Sequence, residues 1–132
     1  MDALCAARIL VSLLSQDCIG YRVVPVSGWS DLSRINSEMV EDNTDLRSII
    51  LVNLGSLVDL SEFFTLPPEG CTLHVIDSHR PWNLNNVFAS GTEAEQIVVW
   101  DDGDVADDLG DEKLAYEALQ VCLSIVCLLT LP

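Results

Sequence analysis

The residues best suited to chemistry lie in the segment VIDSHRP (residues 75–81), where Asp77 and His79 directly follow an apolar run. A carboxylate and an imidazole in this arrangement can bind a divalent metal ion and activate a water molecule for phosphoryl hydrolysis. The plainer interpretation is a loop in which Asp77 caps the following turn and His79 is only hydrogen-bonded. Motifs this short often match by chance, so the spacing alone favours the structural interpretation.

Two further polar positions are expected near this segment. Asp2 lies at the start of a predicted helix, and the segment NLGS (residues 53–56) follows a second apolar run. In a parallel sheet, ligand sites lie beyond the carboxyl ends of the strands. We therefore expect Asp2, Asn53 and Asp77 to converge on one point of the fold.

The spacing of apolar residues predicts helices and strands that alternate. Apolar positions three and four apart predict helices over residues 3–15 and 29–41, and a capping aspartate with a glutamate three places on predicts another at 59–62. Short apolar runs predict strands over residues 21–27, 48–54, 72–76 and 96–100. The alternation predicts an α/β fold whose mainly parallel sheet has helices on both faces.

For three of these elements the sequence also predicts how buried they are or where they lie in the sheet. The helix over residues 3–15 is apolar on most sides and is expected to be largely buried. The strand at 48–54 is too continuously apolar to be half exposed, so we expect a central strand covered on both faces. Pro25 cannot donate to a sheet ladder, which favours an edge position or an irregular end for residues 21–27.

We expect one partial α/β domain over residues 1–120, followed by an apolar tail at 121–132. Within the domain, residues 101–112 hold seven carboxylates and two glycines without apolar periodicity, which predicts a solvated acidic loop. The spacing of these carboxylates does not fit a calcium-binding EF-hand. The tail could be a further buried strand, a short helix or an aggregation-prone end.

The net charge and the cysteines limit the classes of protein to which this chain can belong. Twenty-one acidic residues against six basic ones give a net charge of −15, which repels nucleic-acid backbones. The five cysteines show no C-x-x-C pair and are expected to be buried thiols in a reducing compartment. No secretory signal or membrane-spanning stretch is indicated, so we expect a soluble intracellular protein.

Four segments resemble, in the same order, segments of the cell division control protein 45 family. They are DALCA (2–6), VPVSGW (24–29), LVNLG (51–55) and IDSHRP (76–81). The resemblance covers roughly residues 2–118, and the segment that ends in Arg80-Pro81 is its most specific element. The family is similar to the DHH phosphoesterases, which include the RecJ single-strand nucleases and bind a pair of metal ions through aspartates and histidines.

This resemblance implies a DHH-phosphoesterase-like N-terminal domain that lacks its first strand and has a degenerate site. Asp2 corresponds to the second aspartate of the first motif, while the first aspartate and its strand are missing. Asn53 stands where active relatives carry an aspartate, and a neutral amide is a poorer metal ligand than a carboxylate. Ser78 replaces the first histidine of the last motif and leaves only Asp77 and His79.

The resemblance therefore implies no catalytic residue, no metal and no other cofactor, with Asp2, Asn53, Asp77 and His79 as vestigial positions. The motif residues Asp77, Ser78, His79, Arg80 and Pro81 would be structural. An Asp77–Arg80 pair could lie within a buried polar network.

At the level of function, the resemblance implies a non-catalytic subunit of the nuclear replicative helicase. Such a subunit works with the minichromosome maintenance hexamer and the GINS complex in the initiation and elongation of DNA replication. One alternative is a manganese-dependent phosphoesterase of the DHH type, which Asn53 and Ser78 argue against. Another is a truncated gene product with no independent role, which the missing strand and the tail at 121–132 favour.

Overall fold

The computed structural model describes residues 2–67, 70–88, 96–101, 103, 105 and 109–129, without the side chains of residue 2 and residues 121–129. Within this part of the chain, three parallel strands form a sheet in the order β1-β2-β3. The strands are β1 (Ser48–Val52), β2 (Thr72–Ile76) and β3 (Ile97–Val99). The prediction of an α/β fold with a parallel sheet is confirmed.

The register of the sheet aligns the carboxyl ends of the first two strands. Val52 is the partner of Ile76 across the β1–β2 ladder, and Val75 is the partner of Val99 across β2–β3. The residues that follow Val52 and Ile76 therefore emerge side by side. The prediction that β1 is central was wrong for the described sheet, in which β2 has a neighbour on each side and β1 has only β2 beside it.

Helices connect and flank the strands. α1 spans Asp2–Gln16, α2 spans Trp29–Ile35 and continues as a π-helical turn over Asn36–Val40, and a short 3₁₀ turn spans Leu60–Glu62. Asp59 caps this 3₁₀ turn, since its carboxylate accepts a hydrogen bond from the Ser61 amide at 3.0 Å. α3 spans Leu84–Phe88 and α4 spans Gly110–Leu129.

The main core lies on one face of the sheet. Leu73 and Val75 alternate with less buried residues along β2, so that both point to this face. They pack with Leu51 of β1 and with apolar residues of α2, the π-helical turn and the segment around the 3₁₀ turn: Leu32, Ile35, Val40, Leu60 and Phe64.

Within the described part of the chain, the opposite face is only partly covered. α1 contacts β1 there, through a stripe of half-buried residues that includes Ala6, Leu10 and Leu14. The expectation that α1 is buried on most sides was wrong, because Leu4, Ile9 and Leu13 are each more than half exposed. The sequence places apolar residues around the whole helix, but the described part of the fold offers it a partner on one side only.

The predicted strand at residues 21–27 was also wrong. This segment is extended but forms no described ladder, which agrees with the missing amide proton of Pro25. Val24 and Val26 still pack against the core, while Val23 is exposed. The alternating side chains give the pattern of a strand without the hydrogen bonds of one.

The acidic segment is helical from Gly110, so the predicted loop at 101–112 ends earlier than expected. Asp111 and Glu112 lie in the first turn of α4, where carboxylates stabilise the positive end of the helix dipole. The backbone of α4 passes without a break from residue 120 to Leu129, so this stretch of the apolar tail is helical and not a strand. Within the residues the structure describes, no helix combines the length and apolarity that a membrane crossing requires.

The expectation that the cysteines are buried holds for only one of the three whose side chains are described. Cys71 is buried, and burial raises the pKa of its thiol. Cys5 and Cys18 are exposed, because the outer side of α1 and the turn after it are open. The side chains of Cys122 and Cys127 lie outside the described part.

Candidate functional site at the carboxyl ends of β1 and β2

A sharp turn follows β1 and prepares the site. Asn53 takes a left-handed backbone conformation with φ of 59°, which asparagine tolerates better than most residues, and its amide donates to the carbonyl of Ile76 at 2.8 Å. Gly55 follows with φ of 111°. Together they turn the chain so that Ser56 points back beneath β2, where it is fully buried.

Asp77 is the centre of the site. One carboxylate oxygen, Oδ2, accepts hydrogen bonds from the Ser56 amide at 3.0 Å and the Ser56 hydroxyl at 2.8 Å. The other, Oδ1, accepts from the His79 amide at 3.2 Å and lies 2.6 Å from the imidazole Nδ1 of His79. Both oxygens are therefore used within the protein, and the side chain is only 2% exposed.

Two opposing effects act on the protonation of Asp77. Burial raises the pKa of its carboxyl group, but the hydrogen bonds from Ser56 and His79 favour the charged form more strongly. The net result is a pKa below the ordinary value. Asp77 is thus a charged carboxylate at neutral pH, held by neighbours that donate to both of its oxygens.

This arrangement does not form a nucleophilic triad. In such a triad the serine hydroxyl donates to the histidine, which is in turn oriented by the carboxylate. Here Asp77 lies between the other two residues, and the Ser56 hydroxyl is directed at Asp77 and at the His79 carbonyl, 3.0 Å away. The network joins two loops and leaves no activated hydroxyl.

A cleft of about 330 Å³ lies beside the network, and it brings several predicted residues together. Asn53, Asp77, Ser78 and Arg80 line it, together with residues of α1, the sheet and the end of β3. His79 is not among the lining residues, and the side chain of Asp2 lies outside the described part. Among the described residues, no group of three or more His, Cys, Asp or Glu side chains is arranged to hold a metal ion.

The expected Asp77–Arg80 pair does not form. Arg80 follows the network, and its guanidinium donates to the His79 carbonyl at 3.2 Å and lies 4.0 Å from the centre of the Trp82 ring. The peptide bond between Arg80 and Pro81 is cis. Asp77 pairs with Ser56 and His79 instead, because the turn at Gly55 brings the Ser56 amide and hydroxyl directly to its carboxylate.

Asn86 stabilises the loop that carries Ser56, and the sequence did not predict this role. Its side chain is buried on α3, donates to the carbonyls of Gly55 and Val58, and accepts from the Leu60 amide at 3.0 Å. It therefore satisfies three backbone groups of the loop that carries Ser56. The one available signal was the polar pair Asn85-Asn86 between apolar neighbours, and this pattern is too common to be specific.

A second set of polar side chains, centred on Asn85, also stabilises the loop that carries Ser56. Asn85 donates to the carboxylate of Asp59 and accepts from the hydroxyl of Tyr116 on α4 at 2.9 Å. Burial raises the pKa of Asp59, but hydrogen bonds from Ser61 and Asn85 outweigh it and leave the pKa lowered. The candidate site is thus linked through α3 to α4.

Comparison with known proteins shows to which family the chain belongs. The CDC45 family model matches residues 1–123. The chain belongs to the CDC45 family. The matched range includes the whole sheet and both loops of the Asp77 network, so the site described here is a feature of the part that resembles other CDC45 proteins.

Three relatives show how much of the sequence is shared. The chain is 44% identical to the Schizosaccharomyces pombe cell division control protein 45 homolog over 89% of its length, and 43% identical to Mycosarcoma maydis protein TSD2 over 91%. It is 37% identical to the human cell division control protein 45 homolog over 77%. These matches span 18%, 16% and 17% of the respective relatives, so the chain corresponds to less than a fifth of each.

Proposed function

We propose that this chain is the amino-terminal part of a CDC45-type DNA replication factor and that it acts without catalysis. Membership of the CDC45 family supports a role in DNA replication and in the cell cycle. The finer proposal is a subunit of the nuclear replicative helicase, in contact with the minichromosome maintenance hexamer and the GINS complex. Protein contacts suit its surface, since a net charge of −15 disfavours nucleic acid.

The observation that carries the non-catalytic assignment is the hydrogen bonding of Asp77. A carboxylate has about four lone-pair positions on its two oxygens, and a metal ion needs at least one of them. In this chain Ser56 and His79 occupy both oxygens. The neutral amide of Asn53 at the adjacent strand end offers no second charge.

The assignment predicts that the chain does not hydrolyse phosphodiesters. The measurement is turnover of single-stranded DNA and of a small chromogenic phosphodiester with Mn²⁺, compared with a buffer blank. We expect no difference from the blank. Manganese-dependent turnover that disappears in His79→Ala would establish the DHH-type phosphoesterase instead.

The partner proposal has its own test. A chain tagged at one end is mixed with purified minichromosome maintenance hexamer and with purified GINS complex, and co-elution is measured. Binding of either complex supports the proposed function. Absence of binding to both, with a full-length relative binding in parallel, would show that this part of the protein does not carry the contact.

A further inference from the structure

His74 and Trp100 form a hydrogen-bonded pair on the face of the sheet opposite the main core. Leu73 and Val75 point into the core, so His74 between them lies on the other face of β2. Trp100 directly follows β3, and its indole Nε1 donates to Nδ1 of His74 at 3.2 Å. The centres of the two rings are 6.2 Å apart and their planes are tilted by 49°. The hydrogen bond therefore fixes the indole ring across β2.

The direction of this hydrogen bond defines the protonation state of His74. An indole N–H can donate but cannot accept, so Nδ1 of His74 must be the acceptor and carry no proton. The neutral imidazole then has its one proton on Nε2. A second proton would make Nδ1 a donor as well, and two N–H groups would face each other. The bond to Trp100 thus exists only while His74 is neutral.

The charged form of His74 gains no replacement contact with the indole ring. A cation is attracted to the face of an aromatic ring, where the electron density is high. His74 instead meets the N–H edge of the Trp100 indole, and the edge of an aromatic ring is its positive part. Protonation of His74 would therefore replace the hydrogen bond by repulsion.

The backbone of Trp100 is held independently of His74. Its amide donates to the carbonyl of Val75 at 2.9 Å, and neither of these groups titrates. Trp100 is also 60% exposed, so its side chain can move without opening the core. Loss of the indole hydrogen bond would therefore release the ring while the end of β3 stays paired.

The described strands and helices beside His74 direct no other titratable side chain at it. Its partners across the two ladders are Ile50 of β1 and Val98 of β3. The half-buried side of α1 has only alanine, leucine and valine side chains, and its titratable residues Cys5 and Arg8 are exposed. α3, which contacts β3, has the sequence LNNVF and no titratable side chain.

The charged groups that line the cleft together with Trp100 are Asp77, Arg80 and Asp101. The pKa of Asp77 is lowered by its hydrogen bonds despite its burial, and an arginine stays charged, so neither changes its charge near neutral pH. Histidine is the side chain whose ordinary pKa lies between about pH 5 and 8. The chain has two histidines, and the second, His79, is bonded to Asp77 and does not line the cleft. A change at Trp100 in this pH range would therefore come from His74.

We propose that His74 is a pH-sensitive switch that controls the position of the Trp100 side chain. Neutral His74 holds the indole ring across β2, where Trp100 lines the cleft of about 330 Å³. Uptake of one proton from solvent at Nδ1 breaks the indole hydrogen bond, and the ring leaves this position. The cleft then opens on the side of β3. This switch goes beyond the proposed function, because it belongs to the sheet itself and does not depend on a partner.

The test follows the three tryptophan indole groups of the whole chain by NMR, with nitrogen-15 in the tryptophan residues. Trp100→Phe identifies the signal of Trp100. Between about pH 8 and pH 5, where histidines change charge, we expect the indole proton of Trp100 to move upfield along a single-proton titration curve. Its exchange with solvent should become about fivefold faster than in His74→Asn at the same pH, the factor that one neutral hydrogen bond contributes. The backbone amide of Trp100 should show no such change.

Three variants identify the group that titrates. In His74→Asn the side-chain oxygen can accept from the indole and takes up no proton in this pH range, so the titration curve should disappear. His79→Asn removes the second histidine and keeps a donor for Asp77. Asp101→Asn removes the carboxylate that follows Trp100 in the chain. Both of these controls should keep the titration curve of the wild type.

Four results would each overturn the proposal. The first two are an indole signal of Trp100 that does not titrate and one that titrates unchanged in His74→Asn. The third is a curve that is lost in His79→Asn or Asp101→Asn, which would assign the change to another group. The fourth is a titration without faster indole exchange, because the ring would then keep its hydrogen bond and only respond to a nearby charge.

Discussion

At the scale of single residues, Asp77 acts as a connector between two loops. Replacing it with asparagine removes the charge and places an amide donor where one carboxylate oxygen now accepts from another donor. Because hydrogen bonds to charged groups contribute more than neutral ones, we expect Asp77→Asn to lower the free energy of unfolding by about 1–3 kcal/mol at pH 7. Urea denaturation of both proteins measures the difference, and Asp45→Asn, at an exposed position, should change it little.

The same substitution should have a pH dependence of defined sign. The pKa of Asp77 is lowered in the folded protein, so its stabilising effect is fully present above the unfolded value of about 4 and is lost as the pH falls towards the folded value. The stability difference between the wild type and Asp77→Asn should therefore shrink below about pH 4. A difference that is constant from pH 7 to the acid range would contradict this assignment.

Asn86 gives the sharpest isosteric test of the buried network. In Asn86→Asp a carboxylate replaces the amide that donates to the carbonyls of Gly55 and Val58. The buried charge would then face two acceptors, so we expect a loss of at least about 2 kcal/mol in the free energy of unfolding.

The matched control for Asn86 is Asn83→Asp. Among the described residues, the Asn83 side chain accepts one hydrogen bond, from the Asn85 amide, and donates none, so a carboxylate can replace it there. Urea unfolding at pH 7 measures the free energy of unfolding of both variants, Asn86→Asp and Asn83→Asp. If both variants lose the same stability, Asn86 does not act through its donor group.

At the scale of elements, the turn after β1 depends on a residue without a side chain. Gly55 has φ of 111°, and a Cβ atom there would lie 3.0 Å from Cδ1 of buried Leu51. Backbone strain and crowding act together, so Gly55→Ala should destabilise the protein by about 1–3 kcal/mol.

Gly20→Ala is the control for the turn, because a Cβ atom at Gly20 meets nothing within 4 Å. Thermal or urea unfolding of the two variants provides the comparison. Equal stability of Gly55→Ala and the wild type would mean that the turn can relax without cost.

The sequence predicted the strands with parallel partners well. Residues 72–76 match β2 residue for residue, and the runs at 48–54 and 96–100 contain β1 and β3. These runs are apolar because one face of each strand packs in the main core and the other face is covered in part, at β1 by α1. Residues 21–27 also contain three valines, but hydrogen-bonded pairing depends on a neighbour in space, and Pro25 was the local sign against it.

The site was predicted in part, for a similar reason. The D-x-H spacing drew attention to Asp77 and His79, and Asn53 and Asp77, which follow β1 and β2, line the same cleft. Ser56 and Asn86 act through hydrogen bonds to residues more than twenty positions away. Such contacts follow from the turn at Gly55, and the residue types alone do not reveal them.

At the scale of the whole molecule, the six basic residues are dispersed along the chain, and we expect this arrangement to disfavour binding to nucleic acid. Arg34 pairs with Asp31 and Glu38, and Arg47 donates to the carbonyls of Thr44 and Leu46. With no cluster of cations to release counterions, binding to single- or double-stranded DNA should be undetectable at about 0.15 M salt. Fluorescence anisotropy with labelled oligonucleotides measures this, and a micromolar complex that weakens with added salt would contradict it.

The bond between the Ser56 amide and Asp77 also has a kinetic consequence. Amides in loops usually exchange with solvent quickly, since their hydrogen bonds open in small local fluctuations. The Ser56 amide lies in a loop, but its acceptor is a buried carboxylate on a separate loop that is itself anchored to β2. Its proton can leave only when the two loops separate, so the exchange rate of this single loop amide reports the cooperative opening of the carboxyl edge of the sheet.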